Sequence, residues 1–163
     1  MTLRPPASFR GTFRTDDAAR AVYSEAAGIG RAMPRAVAVA SDADDVATLI
    51  RWARETGHPL IPRGSGSSQA GGAIGEGVIV DVSRLRALGA VDATLRRLRV
   101  EAGVIRGDVE RAAATLKLRC PVDPSSGAFC TIGGMAATNA AGPHSLQHGS
   151  MRRWVAALEC VFD

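Results

Sequence analysis

The sequence contains almost no lysine: Lys117 is the single lysine among 20 basic residues. The formal net charge of +4 therefore comes almost entirely from arginines, which stand singly or in pairs and form no basic block. Aromatic residues are also scarce, at 4% of the chain. Nucleic-acid-binding domains concentrate their positive charge and often interleave it with aromatics. We therefore interpret the arginines as a solvated surface and predict no nucleic-acid partner.

Cysteine is scarce too, because the chain has only Cys120, Cys130 and Cys160. An odd number without Cys-x-x-Cys spacing argues against a disulfide framework and against a structural zinc site. The three histidines have no metal-ligand spacing with a nearby carboxylate either; they are His58, His144 and His148. The sequence therefore predicts no metal.

Long apolar runs are absent as well. The N-terminus has no signal-peptide pattern, and no run of about 18 apolar residues is present to span a bilayer. We therefore predict no transmembrane segment and a cytoplasmic location. At 163 residues, 46% hydrophobic and 22% charged, the composition is that of a globular domain.

Helical and strand patterns alternate along the chain, which predicts an α+β fold of short mixed strands with flanking helices. Helices are predicted over 16–27, from Ser41 as N-cap to Gly57, and over 107–118. Strands are predicted over 36–40, 58–62, 77–82, 95–100 and 154–162. Residues 1–15 are interpreted as a loose lead-in. The last strand has no turn behind it, so we expect the domain to be incomplete at its C-terminus.

The first segment that carries chemistry is rich in glycine and serine and runs from Pro62 to Gly72. Small residues allow positive φ angles and let backbone N–H groups converge on phosphate oxygens. The spacing matches neither the dinucleotide fingerprint Gly-x-Gly-x-x-Gly nor a Walker A loop. By itself the segment is equally consistent with a long flexible connection.

A second small-residue segment runs from Asp123 to Gly142. In it, Gly133 and Gly134 precede a stretch of helical composition, so their N–H groups are expected to face an electron-rich ligand. The alternative is a helix that packs tightly on a neighbour through the same two glycines. Two such segments in one chain favour an extended anion, with a diphosphate at the first segment.

The motifs together resemble a known family. They are Ile-Pro-Arg-Gly-Ser-Gly-Ser, Gly-Val-Ile-Val-Asp-Val-Ser-Arg-Leu, Val-Glu-Ala-Gly-Val, Asp-Pro-Ser-Ser, Thr-Ile-Gly-Gly and Ala-Thr-Asn-Ala, in this order between Pro34 and Asp163. This series resembles the PCMH-type FAD-binding domain of the vanillyl-alcohol oxidase and p-cresol methylhydroxylase superfamily. The branch that it resembles is the FAD-linked oxidases of 2-hydroxy acids, such as glycolate oxidase and D-lactate dehydrogenase.

The resemblance implies a lead-in and helix over 1–33 and an FAD-binding domain over 34–163. It implies that the diphosphate is held by Arg63, Gly64, Ser65, Gly66, Ser67, Ser68, Gly71 and Gly72. The ribityl chain and isoalloxazine ring would lie along Pro124, Ser125, Thr131, Gly133, Gly134, Asn139 and Gly142. The FAD would be noncovalent, since Ser65 stands where some relatives carry the histidine that bonds to the flavin.

The function implied is the FAD-binding portion of an oxidoreductase that oxidises a small 2-hydroxy acid, such as glycolate or D-lactate, once a cap domain or second subunit completes it. The alternative is a non-catalytic FAD-binding or interaction module, or a remnant, completed by a separate chain. No catalytic base is assigned. The chain departs from the family pattern at three places, Met135, Ala141 and His148, where Asn, Gly and Tyr are usual.

Overall fold

A computed structural model describes residues 3–162. The described chain divides into two compact units. The first unit reaches to Leu85 and also includes the residues from Glu159 onward. The second unit spans Arg86–Leu158. Each unit has its own cluster of buried side chains, so the two are described in turn.

The first unit is built on a four-stranded sheet. Its strands are β1 (Thr12–Arg14), β2 (Ala36–Val39), β3 (Leu60–Arg63) and β4 (Val78–Asp81). They are ordered β1-β2-β4-β3, with β1 antiparallel to β2 and the other neighbours parallel. The central strands β2 and β4 are almost wholly buried, as expected of apolar runs in a parallel sheet. The predicted mixed sheet with flanking helices is confirmed.

Two helices belong to this unit, α1 (Asp17–Val22) and α2 (Ala43–Thr56). The N-cap of α2 is Asp42, whose carboxylate accepts a hydrogen bond from the N–H of Asp45 at 2.9 Å. The prediction of Ser41 as the cap is therefore wrong by one residue. Gly57 ends the helix as predicted, in the left-handed conformation with φ 69°. Leu49 and Trp52 of α2 are buried against the sheet.

The N-terminal segment takes part in the first unit's core. The loose lead-in predicted over residues 1–15 is wrong at β1, which pairs with β2. Phe13 of β1 meets Trp52 edge-to-face, with ring centroids 6.1 Å apart. The buried carboxylate of Asp45 accepts hydrogen bonds from the N–H groups of Arg10 and Ser41, both at 2.9 Å. The division of the chain at residue 33 stays a prediction.

The second unit contains three short helices and a 3₁₀ turn. They are α3 (Arg106–Ala114), α4 (Ile132–Ala137), α5 (Ser145–His148) and the turn Met151–Trp154. Its buried cluster consists of Val122, Cys130, Met135 and Met151. Helix α3 is shorter than predicted, because the chain turns after Ala114.

Two strands predicted by sequence are wrong. Residues 95–100 form only isolated bridges, such as the one between Leu88 and Val100. The side chains there are largely exposed on both faces, so no buried face fixes a longer register. Residues 155–162 have no regular structure, because no neighbouring strand in the described chain pairs with them.

Candidate functional site

The first glycine-rich segment leaves the sheet at the carboxyl end of β3. We call residues 64–72 the glycine loop. Gly66 and Gly71 adopt positive φ angles of 73° and 79°, which side chains with a Cβ rarely tolerate. Gly66 is buried, whereas Gly71 is partly exposed, and a Cβ there would meet no atom of the described chain within 4 Å. The loop thus turns twice in a conformation that favours glycine.

The backbone N–H groups of the glycine loop find no acceptor within the described part of the chain. For the nine N–H groups of residues 64–72, residues 3–162 supply no hydrogen-bond acceptor. Backbone N–H groups that have no acceptor in the protein are satisfied by water or by a ligand. A row of such groups on small residues is the donor set that suits phosphate oxygens. The residues present therefore fit a diphosphate.

The opposite side of the loop is fastened to residues 23–28. The N–H of Ala27 donates to the carbonyl of Gly66 at 3.0 Å. A Cβ on Gly28 would stand 2.3 Å from the carbonyl oxygen of Gln69, so the two backbones touch. Residues 23–28 therefore support the loop at the carbonyls of Gly66 and Gln69. Sequence reasoning missed this support.

Arg63, predicted as a cofactor-binding residue, lies at the base of the loop. Its Nη1 donates to the carbonyls of Glu25 at 2.8 Å, Ala73 at 3.1 Å and Tyr23 at 3.3 Å. The guanidinium also stands over the Tyr23 ring, 5.0 Å from the ring centroid. Burial lowers the pKa of Arg63.

Tyr23 is in turn fixed by Asp81. The Tyr23 hydroxyl donates to Oδ2 of Asp81 at 2.5 Å, and the N–H of Ser83 donates to Oδ1 at 2.6 Å. Asp81 is buried at the end of β4. Sequence reasoning missed both residues. The available signals were the chain's only tyrosine and a carboxylate that closes an apolar strand.

Titration of Tyr23 gives a prediction for pH dependence. Burial, followed by the hydrogen bond to Asp81, raises the pKa of Tyr23 to about 12, above the value of about 10 in an unfolded chain. The raised pKa means that the fold favours the neutral phenol. Its contribution to stability is therefore complete below pH ~10 and is lost as the pH rises toward 12.

Because the chain has one tyrosine, tyrosinate absorbance reports this group alone. We expect the folded protein to titrate about two pH units above the denatured protein. Asp81→Asn should lower the Tyr23 pKa without restoring it fully, since burial remains. If Tyr23 has the same pKa in the folded and in the denatured protein, its proposed burial and hydrogen bond to Asp81 are contradicted.

The second segment contains helix α4, which is capped at its start by Thr131. Oγ1 of Thr131 accepts a hydrogen bond from the N–H of Gly134 at 3.2 Å. The N–H of Gly133 donates to the carbonyl of Ala102 at 2.9 Å, and that of Ile132 to Val104 at 2.8 Å. The expectation that Gly133 and Gly134 present free N–H groups is therefore wrong, because acceptors in the second unit already take them.

Close packing explains the first of these glycines. A Cβ on Gly133 would stand 2.7 Å from Cβ of Ala102 and 2.9 Å from its carbonyl oxygen. The alternative given by the sequence, a helix that packs tightly on a neighbour through its glycines, is therefore what the structure shows at Gly133, which lies against Ala102. Met135, in the same helix, is buried in the core cluster of this unit, which gives the departure from the family pattern a packing role.

The segment ends in two polar contacts. Gly142 lies against Asp123, where a Cβ would stand 2.3 Å from the Asp123 carbonyl oxygen. The Asp123 carboxylate pairs with Nδ1 of His144, which lowers the pKa of Asp123. Asn139, with φ 49°, accepts a hydrogen bond on Oδ1 from the N–H of Arg152 at 2.9 Å. The Asn139 side-chain oxygen is therefore engaged, and its NH₂ is the group that can donate to a ligand.

Pro124 and Ser125 open a turn beside this contact. The carbonyl of Pro124 accepts from the N–H of Gly127 at 2.8 Å, while Ser125 is exposed. Arg106 braces the residues that precede the turn, since its guanidinium donates to the carbonyls of Cys120 and Val122 at 3.1 and 3.2 Å. Sequence reasoning missed Arg106.

Membrane-spanning helices and metal clusters are both missing from residues 3–162. In that range no helix is both long enough and apolar enough to cross a membrane. Nowhere within it do three or more potential metal-ligating side chains gather at one point.

Comparison with known proteins identifies relatives by sequence. A family model described as an FAD binding domain matches residues 34–163. The D-2-hydroxyglutarate dehydrogenase of Xanthomonas citri pv. viticola is 34% identical over 131 residues, covering 78% of this chain and 28% of the relative. The glycolate oxidase subunit GlcD of Bacillus subtilis is 32% identical over 152 residues, covering 91% of this chain and 32% of the relative. The chain thus spans about a third of the length of these relatives.

A comparison with solved structures gives the same fold. The 6-hydroxy-D-nicotine oxidase from Arthrobacter nicotinovorans superposes with a TM-score of 0.76 at 25% identity, covering 93% of this chain and 33% of the other. The match to the family model takes in both the glycine loop and the second segment. The chain therefore belongs to the family of FAD binding domains, in the group of relatives that includes glycolate oxidase and the D-lactate and D-2-hydroxyglutarate dehydrogenases.

Proposed function

We propose that this chain is the FAD-binding portion of an oxidoreductase that oxidises a small 2-hydroxy acid such as glycolate or D-lactate. The observation that carries the proposal is the row of nine backbone N–H groups, at residues 64–72, for which the described chain offers no acceptor. A diphosphate supplies several anionic oxygens at close spacing, which is the acceptor set that such a row requires.

The glycine loop would hold the diphosphate through its backbone. The proposed donors are Gly64, Ser65, Gly66, Ser67, Ser68, Gly71 and Gly72, with serine hydroxyls as additional donors. Arg63 contributes to the same site in a way that is argued below. A side chain at position 71 would enter open space beside the loop, where the ligand is proposed to lie.

The second segment would contact the remainder of FAD. The proposed residues are Pro124, Ser125, Thr131, Gly133, Gly134, Asn139 and Gly142. Of these, Asn139 would donate through its NH₂, while Gly133 and Gly134 would contact FAD without donating their N–H groups. When bound, FAD supplies the ring that accepts electrons, and the chain binds and orients it. We propose noncovalent attachment, because Ser65 provides no imidazole for a bond to the flavin.

The substrate class is proposed from the relatives, whose names specify D-2-hydroxyglutarate, D-lactate and glycolate, all 2-hydroxy acids. A cap domain, or a second subunit, would bind that acid and provide the base. We also propose a cytoplasmic location, supported by the free thiols of Cys120, Cys130 and Cys160, which suit a reducing compartment.

A second candidate is a non-catalytic FAD-binding or interaction module that a separate chain completes. The same row of backbone N–H groups at residues 64–72 supports this candidate, because those groups would bind the diphosphate whether or not a reaction follows. A neighbouring reading frame that encodes the remainder of such a dehydrogenase would favour the oxidoreductase. If the chain binds FAD but oxidises no 2-hydroxy acid when mixed with the protein encoded by that reading frame, the non-catalytic module is favoured.

The test is a calorimetric titration of the chain with FAD, with Gly71→Ala as the diagnostic variant. A methyl group at this position projects onto the proposed diphosphate face, and we expect the affinity to fall by about tenfold or more, as for the loss of one or two hydrogen bonds to a charged group. Flavin absorbance should shift on binding to the unchanged chain.

Gly57→Ala is the matched control. Gly57 has a similar φ of 69° and, like Gly71, no atom of the described chain within 4 Å of a Cβ. Both variants place a Cβ on a residue with positive φ, at a backbone cost of about 1–2 kcal/mol, but only Gly71→Ala alters the loop. Equal FAD affinity in the two variants would contradict the proposed site. If the chain with its original sequence does not bind FAD, the proposed function is wrong.

A further inference from the structure

We propose that Arg63 is a positioning residue of the glycine loop and not the counter-charge of the diphosphate. Its guanidinium shapes the loop from beneath, so that the backbone N–H groups face outward. This inference rests on the proposed function for the identity of the ligand, but the geometry of the arginine stands on its own contacts.

The hydrogen bonds of Arg63 point into the protein. Nη1 has three carbonyl acceptors within 3.3 Å, those of Glu25, Ala73 and Tyr23. These carbonyls belong to segments that precede and follow the glycine loop in sequence. Arg63 directly precedes the glycine loop and Ala73 directly follows it, so the hydrogen bond between them joins the two ends of the loop without using the loop's N–H groups.

The guanidinium also fills the space below Gly66. A Cβ on Gly66 would stand 2.5 Å from Nη2 and 2.9 Å from Cζ of Arg63. Gly66 is buried and has a φ of 73°. Its carbonyl is taken by the N–H of Ala27. The arginine thus supports the loop at the residue where it turns.

Tyr23 and Asp81 hold the arginine in this position. Cζ of Arg63 lies over the Tyr23 ring, 5.0 Å from its centroid, and the Tyr23 hydroxyl donates to the buried Asp81. The chain of contacts runs from β4 through a phenol and a guanidinium to the loop. A lysine provides a single ammonium group and lacks the planar guanidinium, whose Cζ lies over the Tyr23 ring and whose Nη2 lies against Gly66.

The experiment compares Arg63→Lys and Arg63→Met in calorimetric titrations with FAD at several salt concentrations. A positioning role predicts that both variants lose about tenfold or more in affinity, because preorganisation is lost. It also predicts that the dependence of affinity on salt is unchanged, since no contact between this charge and the phosphates is removed.

The opposite result overturns the proposal. If Arg63→Lys retains the affinity and Arg63→Met has a flatter salt dependence, the arginine acts as the counter-charge. Arg20→Met is the matched control, because Nε of Arg20 also donates to a backbone carbonyl, that of Pro34 at 2.7 Å, away from the loop. Arg20→Met should retain both the affinity and its salt dependence.

A ligand-free measurement separates this inference from the proposed function. In amide NMR spectra of the protein without FAD, Arg63→Met should shift the signals of residues 64–72 and Ala73, whereas Arg20→Met should leave them in place. If the chain binds no FAD, the proposed function fails and these spectra decide the role of Arg63. Loop signals that stay in place in Arg63→Met overturn the inference with or without FAD binding.

Discussion

Replacing Gly28 with alanine is expected to destabilise the first unit and to weaken FAD binding, although residue 28 lies outside the glycine loop. The new Cβ would stand 2.3 Å from the carbonyl oxygen of Gln69 and 3.0 Å from its carbonyl carbon. Both are backbone atoms, so the strain displaces the loop itself. We expect a cost of about 1–3 kcal/mol in the free energy of unfolding, as for other overpacked positions.

The same displacement moves the backbone donors away from their arrangement in the loop. If half of the strain is released by moving the loop, FAD binding must restore it, and the affinity for FAD falls by about two- to tenfold. Thermal unfolding and calorimetric titration measure the two effects in the same preparation. Loss of stability with unchanged FAD affinity would show that residues 23–28 do not position the ligand site.

Gly30→Ala is the control for Gly28→Ala. The glycine is two residues further along, and its Cβ would meet only the end of the Ile74 side chain, at 3.3 Å. That flexible group moves at little cost, so a change below about 1 kcal/mol is expected. Equal losses in both variants would mean that any side chain in this segment is harmful, and the contact with Gln69 would not be the cause.

Replacing Gly133 with alanine is expected to destabilise the second unit, contrary to the usual effect of this change in a helix. Alanine in a helix interior is favoured over glycine by about 1 kcal/mol. At Gly133, however, the methyl group would approach Ala102 within 3.0 Å at Cβ, the carbonyl oxygen and Cα. We expect the steric cost to exceed the gain, giving a net loss of about 1–3 kcal/mol.

Gly134→Ala tests whether the cause is contact or conformation. This glycine is next in the same helix, and its Cβ would meet only Oγ1 of Thr131, at 3.0 Å. The helical preference for alanine applies to both variants, so the difference between their free energies of unfolding isolates the packing against Ala102. Denaturant unfolding measures that difference. Equal stabilities would show that Gly133 is not needed for close approach.

The buried elements were predictable because their signals are local. Strands β2 and β4 are apolar runs, and helix α2 carries acidic residues at its start and Gly57 at its end. Each pattern reports burial or capping within a few residues. The strands predicted over 95–100 and 154–162 were wrong for the opposite reason, because a strand requires a partner that the sequence does not reveal.

The glycine loop itself was predictable from composition, whereas its support was not. Small residues at 64–72 indicate a backbone that must turn tightly and carry donors. The contacts of Arg63 with Tyr23, Glu25 and Ala73 join positions up to 40 residues apart. No period or spacing records such contacts, so the arginine was predicted at the site but given a direct role toward the phosphate.

Strand β1 has a consequence for dividing the protein. It covers one edge of the sheet, and the other edge, β3, contains Pro62, which lacks an N–H and so discourages further pairing. A fragment cut before Pro34 would leave the apolar β2 with unpaired backbone groups and would separate Tyr23 from its arginine. Such a fragment would contain the whole matched family region, yet it would be prone to self-association and would lack the residues that support the glycine loop.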